Sequence, residues 1–169
     1  MGQELEFVNA DLHERDHLQD IADPEQRSEA ARTWADGRRS ELLAAGTSFV
    51  SETVFSHPSK IALITEATAK GFTVALHVVA LDDPQRLLER VAQRVREGGH
   101  HVPPQRILAR YPRTMAHLAR AVDAAHVAYL YEARDVADGG PQLVAVRTGL
   151  QTTVVGDALP VWAHAMLRR

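Results

Sequence analysis

The chain has 169 residues, 45% hydrophobic and 24% charged, with a formal net charge of −3. That suits one folded domain and carries no overall positive charge of the kind that marks a nucleic-acid partner. It contains no cysteine, which excludes disulfides, thiolate nucleophiles and cysteine-ligated zinc. No basic-then-apolar leader opens it, and its longest apolar run, residues 74–81, falls far short of the ~20 residues of a membrane span. The expectation is a cytoplasmic protein with no membrane partner.

Leu5-Glu6-Phe7-Val8 reads as a short strand, ended by Asn9-Ala10-Asp11. Residues 24–45 are helical in pattern, with Asp23 at the N-cap, Pro24 at the first helical position and Gly46 where a C′ glycine belongs. Residues 48–54 are rich in β-branched side chains and read as a second strand. A helix follows from His57-Pro58-Ser59 to Lys70, closed by Gly71. Residues 72–81 are almost continuously apolar, the pattern of a strand buried on both faces.

Residues 82–118 carry Arg86, Arg90, Arg94, Arg96, Arg106, Arg110 and Arg113, with few acids after Asp83. A Gly98-Gly99-His100-His101 joint, followed by Val102-Pro103-Pro104, divides this stretch into two helices, the second reaching about residue 125. Residues 127–131 and 142–146 read as strands separated by a turn over 135–141. A short strand within 149–156 and a closing helix over 160–167 complete the chain. This alternation predicts an α/β fold: a mostly parallel sheet with an antiparallel C-terminal addition, in a single domain over 1–169. Ligands in such sheets sit at the carboxyl ends of the strands, which directs attention to residues 9–11, 52–56, 82–83 and 132–134.

Asp11 is placed to accept a proton from a substrate hydroxyl, or to cap a helix beginning at Leu12; the two readings stand side by side. Glu52 and Thr53 lie at a strand end in an apolar context, where a carboxylate needs an arginine, a substrate hydroxyl or solvent. Arg86, Arg90 and Arg94 recur every four residues and form one helical stripe, either solvated with Glu89 and Glu97 taking some of its charge or built for phosphate oxygens; Arg86 reads as solvated, while Arg90 and Arg94, nearer the hinge, read as phosphate ligands. His100 and His101 suit capping and hydrogen bonding in the hinge better than metal ligation. His13-Glu14-Arg15-Asp16-His17 matches the H-E-x-x-H zinc-peptidase spacing, with Glu25 or Glu29 nearest as a third ligand, but its polar surroundings make this a distant alternative.

Three pieces in order carry a resemblance. Phe7-Val8-Asn9-Ala10-Asp11, Phe49-Val50-Ser51-Glu52-Thr53, and a run through Arg90, Arg94, Gly98-Gly99-His100, Val102-Pro103, Ile107, Arg110-Tyr111 and Arg113 resemble the small zeta-toxin-like P-loop kinases over roughly residues 5–135. The resemblance implies a three-layer P-loop kinase-like sandwich with an arginine lid over about 84–118. It also implies transfer of a phosphoryl group from ATP or GTP with Mg²⁺ to a hydroxyl of a small substrate, a nucleotide-sugar such as UDP-N-acetylglucosamine in the toxin branch, and a toxin–antitoxin setting with an antitoxin protein as partner. Carried across by motif, Asp11 is the catalytic aspartate. Asn9, Glu52 and Thr53 fall on the substrate side, and Arg90 on an arginine that steadies the transferring group. The family's second lid arginine aligns with His100, leaving Arg94, Arg110 and Arg113 to supply that charge. One departure stands out: no G-x-x-x-x-G-K-[ST] phosphate loop occurs in these residues. The expectation is therefore an N-terminally incomplete kinase domain of weak or no activity; the alternative is a non-catalytic module that binds phosphate, a nucleotide-sugar or a partner.

Overall fold

The computed structural model describes residues 4–81, 84–96, 103–133, 139–156 and 158–168, without the side chain of Arg94. The elements in order are β1 (Glu6–Val8), α1 (Ala10–His17), α2 (Pro24–Ala44), β2 (Phe49–Ser51), α3 (Ser59–Ala69), β3 (Ala75–Ala80), α4 (Pro84–Arg96), α5 (Pro104–Ala124), β4 (Val127–Glu132), β5 (Gln142–Thr148), β6 (Gln151–Val154) and α6 (Val161–Leu167). This is the α/β architecture expected, and it divides into two compact units. The first holds residues 1–54 and 69–72, the second 55–68 and 73–169.

In the first unit β1 and β2 pair in parallel, Phe7 opposite Val50. Both ends of α2 follow from local chemistry. The Asp23 carboxylate accepts from the Glu25 and Gln26 amides at 2.8 and 3.0 Å, satisfying two donors that a helix start leaves orphaned. At the other end Gly46 takes φ +67, the Gly46 amide donates to Leu43 O and the Thr47 amide to Leu42 O. That pair of bonds is a Schellman closure, and the left-handed φ explains why glycine stands there. The core is small: Val8, Ala35 and Leu42 are buried, with Ala10, Trp34 and Phe49 packed on them. A bidentate pair reinforces it, Arg38 Nε and Nη2 each donating at 2.7 Å to the Glu6 carboxylate and tying β1 to α2. The Arg38 hydrogen bonds hold the Glu6 carboxyl below its ordinary pKa.

The second unit is built on a sheet of order β3-β4-β5-β6. β3 and β4 are parallel; β5 and β6 are the antiparallel addition, with an irregularity at Leu130/Tyr131. One face carries the larger core, in which Val78, Leu130, Ala128 and Ala145 meet Val122 of α5 and Trp162, Ala163 and Met166 of α6. A buried guanidinium joins β5 to α5, Arg147 Nη2 lying 2.9 Å from Asp123 Oδ1 while its Nε donates to Gly149 O. Trp162 Nε1 donates to Glu132 at 2.6 Å and so fastens α6 to the end of β4.

The sequence expectation for residues 72–81 is overturned in one respect. Val78 and Ala80 are buried, but Ala75 and His77 are exposed and Val79 is 55% exposed. Among the described residues β3 has one strand neighbour, β4, and its sheet is packed by helices on one face only. A strand in that position buries alternate residues, whatever its composition. The second strand is likewise shorter than the predicted 48–54, pairing only over Phe49–Ser51.

Candidate functional site

At the carboxyl end of the β1–β2 pair, three backbone-directed bonds bring the predicted substrate residues together. The Glu52 amide donates to Val8 O at 3.3 Å and Ser51 Oγ to the same oxygen at 3.2 Å, so the chain leaving β2 stays beside the end of β1. Asn9 follows Val8 directly. Its Oδ1 accepts from the Leu12 amide at 3.1 Å, making it the N-cap of α1, and its Nδ2 donates to Glu52 Oε2 at 2.8 Å. The carboxamide therefore uses both ends: the acceptor starts the helix and the donor orients the carboxylate.

Asp11 is not the cap; Asn9 holds that place. Asp11 sits exposed in the first turn of α1, where the unpaired amides of a helix start favour a carboxylate. Thr53 follows Glu52, half-buried. Asn9, Glu52 and Asp11 thus share the strand-end region that sheet topology nominated. The Asn9–Glu52 bond itself was not read from the sequence, although an asparagine directly before a helical segment is a recognisable cap signal.

The H-E-x-x-H segment is helical as its spacing requires, and the His13 and His17 rings lie 4.8 Å apart. Their company is structural. His13 stacks on Trp34 at 3.7 Å between ring centroids with a 2° interplanar angle, and Glu14 accepts from Arg27 at 3.2 Å. Arg27 also donates to Ile21 O, so the group needed as a peptidase base is tied into the α1–α2 connection. Burial first, and the charge of His17 second, hold the His13 pKa below the usual imidazole value. Among the described residues there is no group of three or more His, Asp or Glu side chains suited to a metal ion.

In the second unit the two arginine helices form as predicted, α4 ending at Arg96 and α5 beginning at Pro104; the Gly98–His101 hinge, and His100 with it, lies outside the described residues. Arg90 is half-buried on α4 and Arg86 exposed. On α5, Arg106, Arg110, Arg113 and Arg120 are exposed, and at ~100° per residue they fall within a stripe about 80° wide. Other side chains of the helix hold it in place. Tyr111 donates its hydroxyl to Leu81 O at 2.5 Å, His117 Nδ1 meets Phe55 O at 3.0 Å, and Leu118, Ala121 and Val122 enter the core. Tyr111 was missed as an anchor, and its effect is local: it fixes the helix between Arg110 and Arg113 against the chain leaving β3, at the carboxyl end of that strand.

The mixed α/β architecture is consistent with the class of the P-loop kinase-like proteins. The zeta toxin family model matches residues 14–140, and the chain belongs to the zeta toxin family. The match covers Glu52, Thr53, Arg90, Arg94, His100, Arg110 and Arg113, and begins after Asn9 and Asp11. Comparison with curated proteins yields no match, nor does comparison with solved structures. Among the described residues no helix is long and apolar enough to cross a membrane.

Proposed function

We propose that this chain supplies the acceptor side and the arginine lid of a phosphotransferase that moves the γ-phosphoryl group of ATP or GTP to a hydroxyl of a small nucleotide-sugar-like substrate. The observation that carries the reading is the Asn9–Glu52 pair at adjacent parallel strand ends, with Asp11 in the first turn of the helix that Asn9 caps. A carboxylate held by an amide donor keeps its remaining lone pairs for sugar hydroxyls. Asp11 would take the proton of the attacking hydroxyl, and Thr53 would add a hydroxyl contact.

Arg90, with Arg94, Arg110 and Arg113 and with His100 in the second lid position, would neutralise charge on the equatorial oxygens of the transferring group. Phosphoryl transfer asks for such positioning and positive charge more than for covalent chemistry. The metal is proposed to arrive on the nucleotide, because Mg²⁺ in such sites is held chiefly by phosphates and water with one or two carboxylates. The backbone nest that a phosphate loop supplies is not encoded among these 169 residues, so turnover by them alone is expected to be weak. Antitoxin binding and a cytoplasmic setting belong to the same proposal.

The test measures binding of UDP-N-acetylglucosamine and of ATP by calorimetry, alongside transfer of label from γ-labelled ATP. The reading expects Glu52→Gln to weaken sugar-nucleotide binding and leave ATP binding in place, and Asp11→Asn to remove the residual transfer without affecting either. Binding that is sensitive to Glu52 and Arg110, with no transfer even at long times, would favour the non-catalytic module. Absence of binding to both ligands would overturn the proposal.

A further inference from the structure

The joint between α1 and α2 rests on a histidine. His13 of α1 lies flat on Trp34 of α2, with ring centroids 3.7 Å apart and planes 2° from parallel. His17, one turn further along α1, has its ring centroid 4.8 Å from that of His13. Contact over the whole indole face shields one side of the His13 imidazole from water. All three residues lie within the first unit.

The charged groups around this pair are engaged with one another. On α1, Glu14 accepts from Arg27 at 3.2 Å, and the Asp16 carboxylate takes both bonds of Arg15 at 2.7 and 3.0 Å. On α2, Arg27 also donates to Ile21 O, and Arg38, one turn beyond Trp34, is held by Glu6 and Glu41. Arg32 pairs with Glu29, and Arg39 with Asp36. Among the described residues no carboxylate hydrogen-bonds to the His13 or His17 ring. One proton on the pair is tolerated, because the indole face attracts a cation. A second must enter one turn from the first, against like charge and partial burial. Those two causes, burial first and His17 second, hold the His13 pKa down.

We propose that the His13–Trp34 stack is an acid-sensitive latch: α1 stays docked on α2 while the histidine pair carries at most one proton, and double protonation releases it. The Asn9 cap begins α1 and Asp11 lies in its first turn. Release therefore displaces both and takes from the Glu52 carboxylate its amide donor. A histidine disfavoured as a cation in the docked helix takes its proton more readily in the released one. Docking is thus complete above about pH 6.5 and weakens as the pH falls through the docked-state pKa. Release takes up one more proton than docking, so the opening constant at pH 5.5 exceeds that at pH 7.5 by at most about tenfold. The latch stands on the two helices alone; its effect on substrate rests on the phosphotransferase reading.

Amide hydrogen exchange on the full chain at pH 7.5 and 5.5, corrected for intrinsic rates and read on α1, β5 and α6, tests the latch. Protection of α1 should fall several-fold at pH 5.5, up to about tenfold, with β5 and α6 unchanged. His13→Phe keeps a flat ring on Trp34 without its charge, and His17→Gln removes the second proton. Each should leave α1 equally protected at both pH values. His17 is exposed, so its replacement gives the readout even where His13→Phe does not fold. Equal protection of α1 in the unaltered chain at both pH values, loss of protection in β5 and α6 alongside it, or release that persists in His17→Gln would each overturn the proposal. Calorimetry with UDP-N-acetylglucosamine separates the two readings. Affinity should fall in step with α1 protection; acid release of α1 in a chain that binds no sugar nucleotide supports the latch and counts against the phosphotransferase.

Discussion

The two units place the side chains proposed to bind ligand by different means. In the first, the residues assigned to the substrate also hold the structure together. Asn9 starts α1 and anchors Glu52, the Glu52 amide is part of the β1–β2 closure, and Glu6 joins β1 to α2. The apolar core beneath them is thin, so these polar contacts carry a large share of the local order. In the second unit a broad core fixes α5 from one side, and Arg106, Arg110 and Arg113 stand on the opposite face. On the proposed roles, function and stability are entangled in the first unit and separable in the second.

The largest effects expected are on stability within the second unit. Leu130→Ala, at a fully buried position, should cost about 3 kcal/mol in denaturant unfolding. Asp123→Ala should cost a similar ~3 kcal/mol, because it leaves the Arg147 guanidinium buried without its carboxylate. Val8→Ala in the thin core should cost less, about 2 kcal/mol. A reversal of that order would break the comparison of the cores.

Next in size is the separation of binding from folding. The double change Arg110→Ala with Arg113→Ala should lower affinity for ATP about tenfold, ~1.4 kcal/mol, and move stability by no more than ~0.5 kcal/mol. In the first unit the two should move together: Asn9→Ala should lose ~1 kcal/mol from the helix cap and also weaken sugar-nucleotide binding, since Glu52 loses its donor. An Asn9 variant that lost binding with full stability would contradict the entanglement.

The smallest effect is in pH. Because folding holds the His13 pKa below its unfolded value, the unfolded chain binds the extra proton first. The contribution is complete above about pH 6.5 and should shrink as the pH falls from there through the folded pKa. Thermal unfolding at pH 7.5 and 5.5 should show this difference, and His13→Gln should reduce it. The Glu6–Arg38 pair works in a lower window, its contribution present above the ordinary carboxylate pKa and lost as pH falls through the depressed folded value.

The sequence by itself determined the elements whose causes are local. Asp23-Pro24 starts α2 and Gly46 ends it because capping is a matter of adjacent residues, and the four-residue recurrence of Arg86, Arg90 and Arg94 is a helical stripe wherever the helix lies. The nomination of Asn9, Asp11 and Glu52 also came from the chain, through the rule that ligands gather at parallel strand ends. Tertiary structure alone decided which contacts those residues make. Asn9 and Glu52 are 43 positions apart, and their bond exists only because β1 and β2 pair in one particular register. The same holds for β3: a continuous apolar run has no period from which to tell a strand covered on both faces from one covered on a single face. The packing of α5 and α6 against one side of the described sheet settled that Val78 is buried and Val79 is not, because burial belongs to neighbours and not to composition.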